Sequence, residues 1–158
     1  TLIEKHSFEE LVAIVAHEMG HYKKRHILRA IVRSTISAGI MFFLLSLFIK
    51  NPGLFEAFRM EHLSIYASLF FFGFLYTPIS LLQGIFENAI SRRQEYAADV
   101  FAVQTDGKPE TMIAALKRLS VENLSNLTPH PLKVILSYSH PPILQRIKAL
   151  RTLEHEGG

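Results

Sequence analysis

A chain of 158 residues has room for one domain, and its mean hydropathy of +0.20, with 49% apolar residues, is high for a protein that folds in water. The sequence contains no cysteine, which excludes disulfide bonds and thiolate metal sites, so any bound metal must be held by His, Asp or Glu. The formal net charge of +3 does not indicate a nucleic-acid partner, because the basic residues cluster beside apolar runs, as they do at membrane boundaries. The sequence begins at Thr1 without a signal peptide, and we expect it to be part of a longer protein.

The first predicted element is a helix over residues 7–33. It begins with the pattern of a capping box, in which Ser7 is the N-cap and Glu10 stands three residues later. Small side chains recur along one flank of this helix, at Ala13, Ala16 and Gly20. Another helix could approach that flank closely, although alanine is also simply a good helix former.

Residues 17–21 of this helix match the H-E-x-x-H pattern of zinc hydrolases. His17 and His21 lie one helical turn apart, so their imidazoles can bind one Zn²⁺ ion at about 2.0–2.1 Å. Glu18 points about 60° away from His21, which is unsuitable for a third ligand but suitable for accepting a proton from a water molecule on the metal. His26 would lie about 180° round the helix from His17 and cannot share that ion. The alternative is a helix that carries two histidines and a glutamate by coincidence.

Two uncharged runs follow, at residues 34–49 and 63–86. As helices they would be about 24 Å and about 36 Å long, compared with a hydrocarbon core of about 30 Å. The break between them contains Asn51-Pro52-Gly53 and a connector that is nearly neutral. We therefore predict a transmembrane hairpin over residues 34–86. The alternative is a helical hairpin buried in the core of a soluble protein.

The charges beside the predicted hairpin indicate its orientation. Five basic residues precede the first run and two follow the second, namely Lys23, Lys24, Arg25, Arg29 and Arg33, and then Arg92 and Arg93. The positive-inside rule places both outer ends of such a hairpin in the cytosol. Because the chain then leaves and returns on the same side, the segment after Phe86 should come back near His17 and His21.

That returning segment carries two carboxylates at helical spacing. Glu95 and Asp99 are four residues apart and share a helix face. A catalytic zinc site with two histidines needs a third protein ligand, which Glu95 can supply. Asp99 can accept a hydrogen bond from the far nitrogen of a ligand histidine and fix its tautomer. The alternative is an ordinary solvated acidic face.

The rest of the chain is predicted as a turn, two helices and an irregular connection. A helix begins at Pro109, and we interpret its apolar face as core only. That face comprises Ile113, Leu116, Leu119 and Leu124. Residues 125–139 are expected to be irregular because prolines interrupt them. The last helix follows His140-Pro141-Pro142; judged from its local sequence alone, His140 would be a loop residue and Arg146 a surface charge.

Three segments together resemble the type I CaaX prenyl proteases, which are membrane zinc metalloproteases of the endoplasmic reticulum and of bacterial membranes. They are ELVAIVAHEMGHYKKRH, SRRQEYAADVFA and YSHPPILQRIKAL, in the family's order. The resemblance covers most of the chain but only the C-terminal part of a family protein, whose further membrane helices come earlier. It implies an all-α fold of zincin-type metalloprotease helices, with a transmembrane hairpin between the H-E-x-x-H helix and the E-x-x-x-D helix. Residues 1–158 would be a single catalytic peptidase domain fragment, divided into 7–33, 34–86 and 87–158.

The resemblance also implies a role for each candidate residue. The zinc ligands that it implies are His17, His21 and Glu95. Glu18 would be the general base, and Asp99 would support a ligand from behind. His140 would stabilise the tetrahedral oxyanion or contact the substrate, and Arg146 would help to order the site or the substrate.

The leading hypothesis is hydrolysis of a peptide bond by water that one zinc ion activates. We expect the partners to be a peptide or protein substrate, prenylated or otherwise membrane-associated, and the lipid bilayer, with no nucleic acid. The protein would be multi-pass, in the bacterial inner membrane or the endoplasmic reticulum, with its zinc site towards the cytosol. One alternative is a heat-shock zinc protease of membrane quality control, which shares H-E-x-x-H, a glutamate ligand and a similar SHPP segment. Another is a non-catalytic membrane scaffold that binds metal.

Overall fold

The computed structural model describes residues 6–49, 51–60, 62, 64–106 and 108–156, and all regular structure among them is helical. Seven helices follow one another in these residues: α1 Phe8–Lys23, α2 His26–Phe48, α3 Pro52–Ala57, α4 Ile65–Asp106, α5 Pro109–Glu122, α6 Pro131–Ser137 and α7 Ile143–Glu156. The predicted all-α class is confirmed.

Contacts among these helices divide the chain into two compact units. The first, which we call the hairpin unit, is Leu28–Gln83 and holds most of α2, α3 and the first part of α4. The second, which we call the site unit, combines Thr1–Ile27 with Gly84–Gly158. It holds α1, the last part of α4 and the helices α5 to α7. Every site residue that the sequence predicted belongs to the site unit.

Within the hairpin unit, α2 and the first part of α4 run antiparallel. The rings of Phe48 and Phe72 lie 5.9 Å apart, whereas Ser37, earlier in α2, accepts a hydrogen bond from the side-chain amide of Gln83, later in α4. A residue late in α2 thus contacts a residue early in α4, and a residue earlier in α2 contacts one later in α4. The two apolar runs form a helical hairpin.

Both helices of this hairpin are long and apolar enough to cross a membrane. In their most apolar stretches, 0% of the α2 residues and 11% of the α4 residues are buried inside the protein. Large aromatic side chains point outward, and Phe70 and Phe74 are 73% and 69% exposed. The described residues of this chain therefore do not bury the hairpin in a core, as the alternative of a soluble protein would require.

In the site unit, α1 begins with the predicted capping box, and its Gly20 lies against α4. The Ser7 hydroxyl accepts from the backbone N–H of Glu10, whose carboxylate accepts from the backbone N–H of Ser7. A methyl group on Gly20 would lie 3.2 Å from the Cα of Ala98, tighter than ordinary van der Waals contact, so glycine permits the close approach of α1 and α4. The buried core beside this contact comprises Ala13, Ala16, Ala102, Met112, Ile113, Leu116, Ile147 and Leu150.

The predicted helix over residues 7–33 is in fact two helices, because the chain turns between Lys23 and His26. Arg25 in this turn has a φ of 54°, in the left-handed region that residues other than glycine rarely adopt. No glycine or proline marks the break in the sequence, which is why the local pattern predicted a continuous helix.

Two predictions for the C-terminal part are also wrong. Residues 125–139 are not wholly irregular, since they contain α6, whose N-cap His130 accepts from the backbone N–H of Leu132 through its ring nitrogen. Leu124 is not core, because it follows the end of α5 and is 91% exposed.

Candidate metal centre

Three side chains from two helices converge in the site unit. His17 and His21 come from α1 and Glu95 comes from α4, and one ligand atom of each lies within 4.8 Å of the other two. The Nε2 atoms of His17 and His21 are 3.2 Å apart. The carboxylate oxygens of Glu95 lie 3.7 Å from Nε2 of His17 and 3.3 Å from Nε2 of His21.

These separations fit the ligand shell of one zinc ion. Tetrahedral ligands at about 2.0–2.1 Å from zinc are about 3.3 Å from one another. The three observed distances of 3.2, 3.3 and 3.7 Å bracket that value. Two imidazoles and one carboxylate also form a donor set that catalytic zinc sites use, with the fourth position left for water. The donor set and its spacing therefore suit zinc.

Behind His17, the structure places the carboxylate of Asp99 and the guanidinium of Arg146. The Oδ1 atom of Asp99 lies 3.0 Å from Nδ1 of His17. Arg146 donates two hydrogen bonds to Asp99, from Nε to Oδ2 at 2.8 Å and from Nη2 to Oδ1 at 2.5 Å. A carboxylate at this position holds the proton of His17 on Nδ1 and leaves the lone pair of Nε2 directed at the ligand cluster.

Asp99 and Arg146 are a buried pair, 2% and 8% exposed respectively, and Asp99 lies well beyond the apolar part of α4. Burial alone would raise the pKa of Asp99, but hydrogen bonds from Arg146 and His17, together with their charges, hold that pKa below its ordinary value. Burial alone would lower the pKa of Arg146, but the hydrogen bond and charge of Asp99 raise it. Both side chains therefore carry their charges inside the site unit.

Arg146 and His140 both reach the carboxylate of Glu95. The Nη1 atom of Arg146 lies 3.1 Å from Oε2 of Glu95, and Nδ1 of His140 lies 3.2 Å from the same oxygen. The interpretation of Arg146 as a surface charge is wrong, because the side chain is buried between carboxylates that are distant in the sequence. His140 does lie between helices, with a side chain that is 67% exposed at the edge of the cluster.

A cavity of about 370 Å³ opens beside the three converging side chains. Its polar lining comprises His17, Glu18, His21, Glu95, His140 and Arg146. Its apolar lining comprises Ile14, Ile27, Met112, Leu116 and Leu119. The apolar face of α5 thus forms one wall of the cavity, and its interpretation as core only is wrong. Glu18 is exposed on this cavity, on the same helix as the two histidines.

One neighbour of the cluster escaped prediction. Nδ1 of His26 lies 3.0 Å from Nδ1 of His21, and the two rings meet nearly at right angles, with centroids 4.9 Å apart. In a continuous helix the two side chains would point about 140° apart. The turn at Arg25 removes that restriction. The sequence offered only the histidine itself as a signal.

A second arginine holds the segment that leads to His140. Nη1 of Arg92 donates to the carbonyl oxygens of Val134 at 3.1 Å and of Tyr138 at 2.6 Å. The carbonyl of Val134 also accepts from the backbone N–H of Tyr138, the C-cap of α6, so Arg92 binds the helix and its C-cap residue together. Since Arg92 precedes Glu95 by three residues on α4, one helix supplies the carboxylate and anchors the segment before His140.

Comparison with known proteins gives concordant matches. The model of peptidase family M48 matches residues 1–154. The chain is 33% identical to the CAAX prenyl protease 1 homolog of Homo sapiens over 148 residues, which cover 92% of this chain and 31% of that protein. It is 28% identical to CAAX prenyl protease 1 of Saccharomyces cerevisiae, covering 95% of this chain and 36% of that protein.

A solved structure is also similar. The crystal structure of S. mikatae Ste24p aligns with a TM-score of 0.80 at 30% identity, over 95% of this chain and 37% of that one. The chain therefore spans about a third of the length of these relatives. The fold of nearly all of this chain is therefore shared with part of a longer protein.

Proposed function

Because the chain belongs to peptidase family M48, we propose that it is the zinc-binding part of a membrane metalloendopeptidase of the CaaX prenyl protease type. The observation that carries this proposal is the convergence of His17, His21 and Glu95 from two helices onto one point. These three side chains are the proposed ligands of one zinc ion.

The catalytic chemistry requires a base beside the ligands. When bound, a zinc ion would act as a Lewis acid that polarises a peptide carbonyl and would lower the pKa of water to about 7. Glu18 accepts the proton of the attacking water and passes it to the departing amine. Its exposed position on the cavity, one residue after a proposed ligand, supports this role.

Two further side chains are assigned from their positions. His140 donates a hydrogen bond to the oxygen that becomes negative when water adds to the carbonyl. Its exposure at the edge of the cavity supports this role. Arg146 holds Glu95 and Asp99 in place, and Asp99 in turn holds His17 in the tautomer that presents Nε2.

We propose a substrate that is a prenylated or otherwise membrane-associated peptide, with the lipid bilayer as a second partner. The two membrane-length helices support a multi-pass protein, and the basic residues that flank them support a site on the cytosolic side. The apolar wall of the cavity suits apolar side chains of a bound peptide. The relatives named above are CAAX prenyl proteases, so this type is proposed in preference to the heat-shock type.

The test compares two variants in the protein reconstituted into lipid vesicles. We expect Glu18→Gln to lower the hydrolysis of a farnesylated CaaX peptide by about 100-fold or more, because the proton acceptor is lost, while bound zinc remains. Glu95→Ala should lose stoichiometric zinc, because two imidazoles alone hold the metal weakly. Metal analysis and a peptide-cleavage assay give both readouts.

The matched control is Glu9→Gln, which removes an exposed carboxylate from the first turn of the same helix and should change neither readout. Undiminished cleavage by Glu18→Gln would contradict the mechanism. Stoichiometric zinc in a parent protein that cuts neither a prenylated nor an unmodified peptide would favour the non-catalytic scaffold.

A further inference from the structure

The two proposed histidine ligands are held from behind by different kinds of partner. His17 is backed by the Asp99 carboxylate, 3.0 Å from its Nδ1. His21 is backed by a second imidazole, since Nδ1 of His26 lies 3.0 Å from Nδ1 of His21. His26 is 5% exposed and so lies inside the site unit, although it begins the next helix.

We infer that His26 is a positioning residue of the metal site, whose Nδ1 accepts a hydrogen bond from Nδ1–H of His21. The inference rests on the proposed zinc site. A histidine that binds metal through Nε2 needs its lone pair there, so its one ring proton must be on Nδ1. Two Nδ1 atoms 3.0 Å apart share one proton, and His26 is therefore the acceptor and carries its own proton on Nε2.

The backbone turn at the end of α1 brings His26 to His21. The two histidines are five residues apart, and a straight helix would separate their directions by about 140°. Instead α1 ends at Lys23, and Arg25 takes the left-handed conformation with φ of 54°. A residue other than glycine rarely adopts that conformation. The turn allows His26 to reach His21 directly.

The proposed contact fixes more than the tautomer. The rings of His21 and His26 meet at 82°, with their Nδ1 atoms 3.0 Å apart. Rotation of the His21 ring about its bond to Cβ would break this contact and move Nε2 away from His17, which is 3.2 Å away. His26 therefore limits the ring to the orientation in which three ligand atoms converge.

The experiment compares His26→Phe with His26→Asn in the purified protein in detergent, and the readout is metal affinity rather than turnover. Phenylalanine keeps a ring without any acceptor, whereas the Oδ1 atom of asparagine can occupy the place of Nδ1 and accept the same hydrogen bond. We expect His26→Phe to weaken zinc binding by about 10- to 100-fold in competition with a chromophoric chelator. His26→Asn should recover most of that loss.

The matched control is His6→Phe, which removes an equally buried imidazole, 7% exposed, that is paired with Glu10 instead of a proposed ligand. It should leave zinc affinity unchanged. Cobalt substitution gives a second readout: the visible absorption of the Co²⁺ form should change in His26→Phe and not in His6→Phe, because only the former frees a ligand ring. Thermal unfolding of the metal-free variants measures any general loss of stability.

The outcomes separate this inference from the proposed function. Stoichiometric zinc with equal affinity and an equal cobalt spectrum in the parent and His26→Phe would overturn the positioning role and leave the zinc site standing. Equal losses in His26→Phe and His26→Asn would also overturn it, because the acceptor would then be irrelevant. A parent protein that binds no zinc would overturn both.

Discussion

At the scale of single residues, the site depends on which nitrogen or oxygen each side chain presents. The Nε2 atoms of His17 and His21 are 3.2 Å apart, and Asp99 and His26 contact the two rings from behind. Asp99 is the central one of these partners, because it contacts both His17 and the buried guanidinium of Arg146. The pKa of its carboxyl is lowered chiefly by that guanidinium against the effect of burial, so the charge is retained.

Replacement of Asp99 by asparagine should therefore weaken both the metal site and the fold. An amide cannot neutralise Arg146, and loss of one partner of a buried ion pair costs about 3–5 kcal/mol. The loss of the carboxylate behind His17 should weaken zinc binding by about 10- to 100-fold. Chelator competition and thermal unfolding of the metal-free protein measure the two effects.

The control for this prediction is Glu110→Gln, which removes an exposed carboxylate from the first turn of α5 and should move neither value. An Asp99→Asn variant with parental zinc affinity would show that the pair with Arg146 serves stability alone.

At this scale the sequence predicted which side chains share one face of a single helix. The spacing of His17, His21, Glu95 and Asp99 predicts which side chains share a helix face, and in the structure His17, His21 and Glu95 converge. The burial of Arg146 depends on Asp99, which is 47 residues away, and no local pattern contains that contact. The contact of His26 with His21 depends on a turn at Arg25 that no glycine or proline announces.

At the scale of elements, α4 connects the proposed ligand to the segment that carries His140. Glu95 supplies a carboxylate, and Arg92 three residues earlier binds the carbonyl oxygens of Val134 and Tyr138. The sequence indicated a membrane boundary at Arg92 from its charge, whereas the structure shows its guanidinium on the end of α6. Local patterns did not predict α6, because Pro129 before its N-cap and Pro131 at its first position suggested an irregular chain.

We expect Arg92→Ala to reduce kcat while bound zinc is retained, because the segment before His140 loses its anchor. A displacement of a catalytic side chain by about 1 Å can cost about 100-fold. The measurement is the cleavage rate of a farnesylated CaaX peptide, together with zinc content.

Arg93→Ala is the matched control, since Arg93 is the exposed neighbour on the same helix. If Arg92 acts through His140, the variant that combines Arg92→Ala with His140→Ala should be no slower than His140→Ala alone. Multiplicative losses in the combined variant would refute that dependence.

At the scale of the whole molecule, the chain pairs a polar, charged site unit with a hairpin unit whose apolar residues point outward. The most apolar stretches of α2 and α4 are 0% and 11% buried, so the described residues of this chain do not cover them. The hairpin was predictable because long uncharged runs between clusters of basic residues are typical of membrane-spanning helices. The division into two units was not, because it depends on contacts between distant parts of the chain.

A charge in the middle of the hairpin should prevent stable insertion. Phe74 lies near the centre of the apolar part of α4 and is 69% exposed, and an arginine at the centre of a membrane helix costs about 2.5–3.5 kcal/mol. We expect Phe74→Arg to reduce the fraction of protein that remains in membranes after extraction at alkaline pH.

The control is Phe8→Arg, an equally exposed phenylalanine, at 77%, at the start of α1 in the site unit. It should stay in the membrane fraction as the parent does. Equal retention of both variants would mean that this stretch of α4 does not contact lipid.

Gly20 has no side chain at the point where α1 approaches α4. A single carbon at that position would meet the backbone of Ala98 at 3.2 Å and the ring of Phe101 at 3.1 Å. The aromatic ring can yield, but the backbone of α4 moves only as a whole, so the added methyl would act as a wedge between the histidine-bearing and carboxylate-bearing helices. We therefore expect larger side chains at this position to weaken binding of the proposed zinc ion in small steps, with every proposed ligand chemically intact.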